Sequence, residues 1–218
     1  MKLRWGIFGA CAAAVLVAAA ALSRRAPFDT RAVADAETRM WFAYYSGEAP
    51  LISGYLEEML RTQFGIDPYS SQEVARRMSI AAMRFRSTSG GYETNTLPYL
   101  TEAYRVLAAN AGASFNPYET AQAELAWWIA RRSPETNSTE AIGARITDLY
   151  RNLYGGDHPS FETAGRLRAE AAALRDAGRD HADWHRIRKL LRRSYAELGK
   201  AARAAPRTEA PPPPPAGT

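Results

Sequence analysis

Two ten-residue stretches hold the residue types from which a binding site could be built. Residues 36–45 read AETRMWFAYY and residues 123–132 read AELAWWIARR. Ala, Glu, Trp and Ala recur at the same offsets, and Met40 matches Trp127 in bulk. Residues three, four and seven apart share one side of a helix. Glu124, Trp127 and Arg131 therefore form one stripe, with Glu37, Trp41, Tyr44 and Tyr45 as its counterpart. A carboxylate, several aromatic rings and a guanidinium so spaced can hold a small ligand or a glycan by hydrogen bonding and stacking. The plainer expectation is a helix packed on two sides. Neighbours on a helix point about 100° apart, so Trp127 and Trp128 are expected on different faces. Trp128 joins the apolar stripe Tyr118, Ala121, Leu125, Trp128 and Ile129, whereas Trp127 lies beside Glu124 and Arg131.

Other chemistry is harder to assemble. His181 and His185 stand four apart, a spacing that suits a metal. Arg188 and Arg192 continue the same side, however, and the glutamate of a zinc-protease pattern is missing, so neither a metal nor a cofactor is expected. Glu37 and Glu124 are followed three residues later by Met40 and Trp127, where a di-metal helix bundle needs histidine. No nucleophile elbow, phosphate loop or dinucleotide fingerprint occurs. The one cysteine, Cys11, lies in an apolar N-terminal run, which excludes a disulfide framework within the chain. An enzyme of unfamiliar type around Glu37, Glu124 and Arg131 is the catalytic alternative left.

These stripes must be positioned by helices. Eight are expected: Thr30–Ser46, Leu51–Phe64, Ser70 to about Arg86, Pro98 to Asn110, a fifth after Asn116 ending at Ser133, Asn137–Tyr154, a seventh after Pro159 ending before Gly178, and an eighth capped by Asp180 and stopped by Gly199. The signals are capping boxes, prolines in first turns and glycines at ends. No stretch alternates well enough to be a strand. The reading is all-α, with about eight antiparallel helices in a bundle or in stacked hairpins. Alternate helix starts fall about 40–46 residues apart, a hairpin-repeat period.

The 218-residue chain is 46% hydrophobic and 23% charged, a globular balance. Trp5 to Leu22 carries no charge over 18 residues and follows Lys2 and Arg4. Residues 1–25 are thus expected to be a transmembrane or signal helix, residues 26–199 a helical domain, and residues 200–218 a proline-rich tail. The expected address is the inner membrane, with the domain on the periplasmic or extracytoplasmic side. Eight basic residues against two acids lie between His181 and Arg207, whereas the whole chain has a net charge of +5. Arg186, Lys189, Arg193 and Lys200 lie on the polar side of the last helix and form a basic contact face for anionic lipid headgroups or an acidic partner. Nucleic acid is not expected in that compartment. The leading expectation is a non-catalytic interaction or scaffolding subunit of a membrane or envelope complex. The alternative is a small-ligand or glycan binding module with an aromatic groove.

Overall fold

The structure is a computed structural model and describes residues 28–204. The expected N-terminal helix over 1–25 and most of the expected tail lie outside those residues. Among the described residues no helix is long and apolar enough to cross a membrane.

The described chain is all-α. Nine helices follow one another: α1 Thr30–Ser46, α2 Ala49–Phe64, α3 Pro68–Ser87, a single turn α4 Tyr92–Asn95, α5 Leu97–Ala111, α6 Pro117–Arg132, α7 Thr139–Tyr154, α8 Pro159–Gly178 and α9 Trp184–Ala204. Their ends have local causes. Asp29 accepts from the backbone N–H groups of Arg31 and Ala32 at 3.0 Å and opens α1. Asn116 does the same for α6. Gly47 and Gly65 close α1 and α2 with φ of 82° and 65°, a left-handed conformation costly to other residues.

Several boundaries differ from the sequence reading. Ser70 is not the cap of α3: Asp67 is, accepting from the Ser70 N–H, and Pro68 starts the helix. Ser138 rather than Asn137 caps α7. Asp180 lies in a short 3-10 turn, Arg179–His181, and Asp183 accepts from the Arg186 N–H at the start of α9. The turn α4 had no clear signal. Gly199 does not stop α9, which runs on to Ala204. It lies where α9 packs on α1, and a Cβ there would meet the Thr30 methyl at 2.6 Å.

That last contact reveals the topology. Each long helix packs on the next in the chain, antiparallel to it, and α9 returns to pack on α1. The eight long helices thus close a ring, with α4 as a connection between α3 and α5. An even number of antiparallel helices lets the last one meet the first in the same antiparallel sense. One close seam is α7 on α8. A Cβ on Gly165 would lie 2.6 Å from the Gly143 carbonyl oxygen, so only glycine permits this approach. Inward residues such as Val33, Leu100, Leu107, Ile146, Phe161 and Leu191 are fully or almost fully buried.

Candidate functional site

The ring encloses a cavity of about 430 Å³, within the size range of ordinary ligand pockets. All eight long helices contribute to its wall. The wall has two characters. Helices α2, α3 and α5 present Ile52, Leu56, Met59, Leu60, Met78, Ala82, Leu100 and Leu107. Helices α1, α6, α7, α8 and α9 present aromatic and polar groups: Trp41, Tyr44, Tyr45, Glu124, Trp127, Trp128, Arg131, Tyr150, Arg168 and Tyr195.

Of the stripes read from the sequence, Trp41, Tyr44, Tyr45, Glu124, Trp127 and Arg131 all stand on this wall. The matched stretches place the same offsets there: Met40, Trp41, Tyr44 and Tyr45 from α1, and Trp127, Trp128, Arg131 and Arg132 from α6. These helices are four steps apart in a ring of eight, so they lie on opposite sides of it. Glu37 is not on the wall. It is fully buried and ion-paired with Arg168 of α8, whose Nε donates to Glu37 Oε1 at 3.0 Å.

The two tryptophans do not separate as the 100° rule suggested. Both line the cavity, with rings 6.2 Å apart and perpendicular. Trp127 is the deeper, and the Arg168 guanidinium lies 5.0 Å from its ring centre. Trp128 is half-buried against Phe85. Tyr118, assigned to the apolar stripe and placed in the first turn of α6, is 51% exposed.

The polar side of the cavity is ordered by hydrogen bonds. The Tyr104 hydroxyl donates to Glu124 Oε2 at 2.9 Å, and Trp128 Nε1 donates to Glu124 Oε1 at 2.9 Å. Burial pushes the Glu124 carboxyl above its ordinary range, opposed by the Arg168 charge and by these donors. Burial, with the Glu124 charge second, pushes Tyr104 well above the ordinary phenol value. At the wall Trp127 Nε1 and the Tyr150 hydroxyl make no close, well-aligned hydrogen bond, but Trp127 is a weak hydrogen-bond partner of Glu124, and Tyr150 of Ser194. Trp127 is 5% and Tyr150 3% exposed, so both are polar groups withdrawn from bulk water at the cavity wall.

The cavity is closed at one end and opens at the other. At the closed end Gln63 Nε2 donates to the Tyr154 hydroxyl across the ring, and Phe64, Tyr154 and Phe161 stack in succession. Among the lining residues only Arg132 and Asp176 are exposed, and both sit near the last turns of their helices at the opposite end. There Arg131 Nε and Nη2 each donate to Asp176 at 2.7 Å. Arg175 lies over Tyr45 at 3.4 Å, Arg132 over Phe85 at 3.8 Å and Arg86 over Tyr44 at 5.4 Å.

Sequence reading missed Arg168, Tyr104, Tyr150, Tyr195 and Arg132 on the wall, and Arg86 and Arg175, which stack on the lining phenols Tyr44 and Tyr45 near the mouth. Arg168 did leave a signal: it interrupts the otherwise small or apolar stripe Phe161, Ala164, Gly165 and Ala172 of α8. The last helix turns Ile187, Leu191, Tyr195 and Leu198 inward and leaves Arg186, Lys189, Arg193 and Lys200 exposed. Lys200 pairs with Glu197 at 2.6 Å. His158 caps α8, its Nδ1 accepting from the Ser160 N–H, while His181 and His185 are exposed. Among the described residues no three His, Cys, Asp or Glu side chains converge as a metal site would require. Compared with protein-family models, curated proteins and solved structures, the chain matches none.

Proposed function

We propose that the helical ring is a binding domain for one small, mostly apolar ligand, held at a membrane by the N-terminal segment. The observation that carries this reading is the cavity, with aliphatic side chains on one side and aromatic ones on the other. A space meant only for packing would be filled by side chains, because protein interiors are close-packed. A largely apolar ligand would cover the aliphatic wall and lie against the aromatic rings that face it. The membrane tether rests on the uncharged run Trp5 to Leu22 and the basic residues on either side of it.

The test is photolabelling of the full-length protein in neutral phospholipid nanodiscs with a diazirine-bearing decanol. Labels are expected on cavity residues such as Leu56, Met59 and Met78. They should decrease in Ala82→Phe, whose ring would occupy the same space. Labels confined to the outer helix faces and residues 1–25 would refute the reading.

The exposed basic side of α9 favours a second, compatible role as an interaction subunit at an anionic membrane surface or against an acidic envelope protein. Co-purification of stoichiometric membrane partners that are lost when Arg186, Lys189 and Arg193 are changed to Gln would support it. Recovery of the lone chain would count against it.

A further inference from the structure

We infer that the ligand is a single-chain anionic amphiphile, its charged head held at the cavity mouth by Arg86 and Arg132 and its alkyl chain lying along the aliphatic wall. The inference rests on the ligand-binding reading above and names the ligand class. Three observations lead to it.

The mouth carries an excess of positive charge. The charged groups that act most strongly on the paired phenols Tyr44 and Tyr45 are four arginines, Arg86, Arg131, Arg132 and Arg175, and one carboxylate, Asp176. Asp176 is occupied by Arg131 in a bidentate pair and lies 4.0 Å from Arg175. Arg86 and Arg132 are not ion-paired among the described residues. Arg86 Nη1 donates to the Tyr44 carbonyl at 2.7 Å, and Arg132 Nη1 to the Thr88 carbonyl at 2.8 Å and the Tyr92 hydroxyl at 3.2 Å. Each guanidinium carries five N–H donors, so both keep donors for a further acceptor. Both are also held in place by stacking, on Tyr44 and on Phe85. A guanidinium already fixed loses less freedom when it takes an anion.

Deeper in, the cavity offers an anion no free cation among the described residues. Glu124 lies on its wall, and the Arg168 charge is already spent on the buried Glu37. A negatively charged head is therefore stable at the mouth and unstable deeper, which fixes the ligand's direction.

The side formed by α2, α3 and α5 is mostly apolar, with Tyr104 and Gln63 its polar members, and offers little to a polar chain. Ile52, Leu56, Met59, Met78 and Leu100 come from three successive helices, α2, α3 and α5. Methionine adapts to irregular alkyl conformations. The plugged end at Gln63, Phe64 and Tyr154 limits how far a chain can penetrate.

A fatty carboxylate and a lysophospholipid phosphate share this chemistry, and competition distinguishes them. Full-length protein in neutral nanodiscs is labelled with the diazirine decanol, and the lumen label is displaced with decanol, decanoate or decyl phosphate. At least one of the two anions should displace it at about tenfold lower concentration than decanol, as one added charge-assisted hydrogen bond would give. In Arg86→Gln with Arg132→Gln the preference should fall towards one, whereas Arg145→Gln on the outer side of α7 should keep it. Circular dichroism melts check that each variant is folded. Decanoate displacing best would identify a free-acid type of ligand, and decyl phosphate a phospholipid type. Lumen labelling displaced equally by decanol and both anions, or a preference that survives the double change, would overturn this inference and leave the lumen reading intact. Absence of lumen labelling would overturn both.

Discussion

Replacing Gly165 with alanine should destabilise the protein, although alanine is the better helix former. In an open helix the change is worth about 1 kcal/mol in favour of alanine. At Gly165 the added Cβ would stand 2.5 Å from Thr147 Oγ1, 2.6 Å from the Gly143 carbonyl oxygen and 3.1 Å from the Thr147 backbone nitrogen. Ordinary carbon–oxygen contacts begin at about 3.3 Å. Two of the three obstructing atoms are backbone, so relief requires moving α7 away from α8. The Thr147 hydroxyl cannot simply rotate, because it donates to the Gly143 carbonyl at 2.9 Å and approaches that of Phe161 at 3.4 Å. Overpacking of this kind costs about 1–3 kcal/mol, and a displaced backbone puts the cost at or above the top of that range. The net loss should be about 2 kcal/mol or more, which is a drop of at least roughly 4–8 °C in melting temperature for a protein of this size. Gly54 supplies the opposite sign. It is exposed within α2 and a Cβ there meets nothing within 4 Å, so Gly54→Ala should raise the melting temperature. Thermal melts of the two variants followed by circular dichroism form the assay. If both move upward together, the α7–α8 seam is looser than described.

Further consequences concern buried charge. Glu37→Gln leaves Arg168 charged and uncompensated in the interior and should cost about 3–5 kcal/mol. Glu37→Leu combined with Arg168→Met should cost less than Glu37→Gln, as read from urea midpoints; equal or greater loss in the double variant would contradict this. Burial raises the folded-state value of Glu124, so its contribution is complete below the unfolded value of about 4.3 and is lost as pH rises through the elevated folded value. Glu124→Gln should therefore gain stability relative to the natural protein as pH rises from about 4 through the elevated folded value, and keep that gain above it. A difference independent of pH would show that Glu124 is not perturbed. The Asp35 carboxyl is held low, first by its hydrogen bond from Arg192. Its contribution is present above the ordinary value of about 4 and lost as pH falls through the lowered one. Because both side chains are about a third exposed, Asp35→Asn should cost less than about 1 kcal/mol near neutrality and nothing in acid.

Most helices were legible because their ends are chemical. Asp29, Asn116, Gly47 and Gly65 act locally and need no distant partner. Gly199 shows where local reasoning stops. A glycine late in a helical segment resembles a terminator, yet its role is to let Thr30, far away in the chain, come close. Ring closure depends on that long-range contact, and helix periodicity records only that a face is apolar, not what covers it. The site followed the same division. Glu124, Trp127 and Arg131 were readable as a stripe, whereas the partners that give the stripe its character, Arg168, Tyr150 and Tyr104, come from three other helices. The separate faces expected for Trp127 and Trp128 assumed flat contacts between helices. On the inner wall of a ring the inward arc is wide enough to hold both.

The central claim is a lumen with one aliphatic wall inside a closed ring of helices, and diffraction from crystals equilibrated with xenon tests it most directly. Xenon enters dry apolar cavities and scatters strongly. The account expects ordered xenon between the aliphatic wall, at Leu56 and Met78, and the ring of Trp127. A lumen filled by its own side chains, with xenon only on outer surfaces, would contradict it.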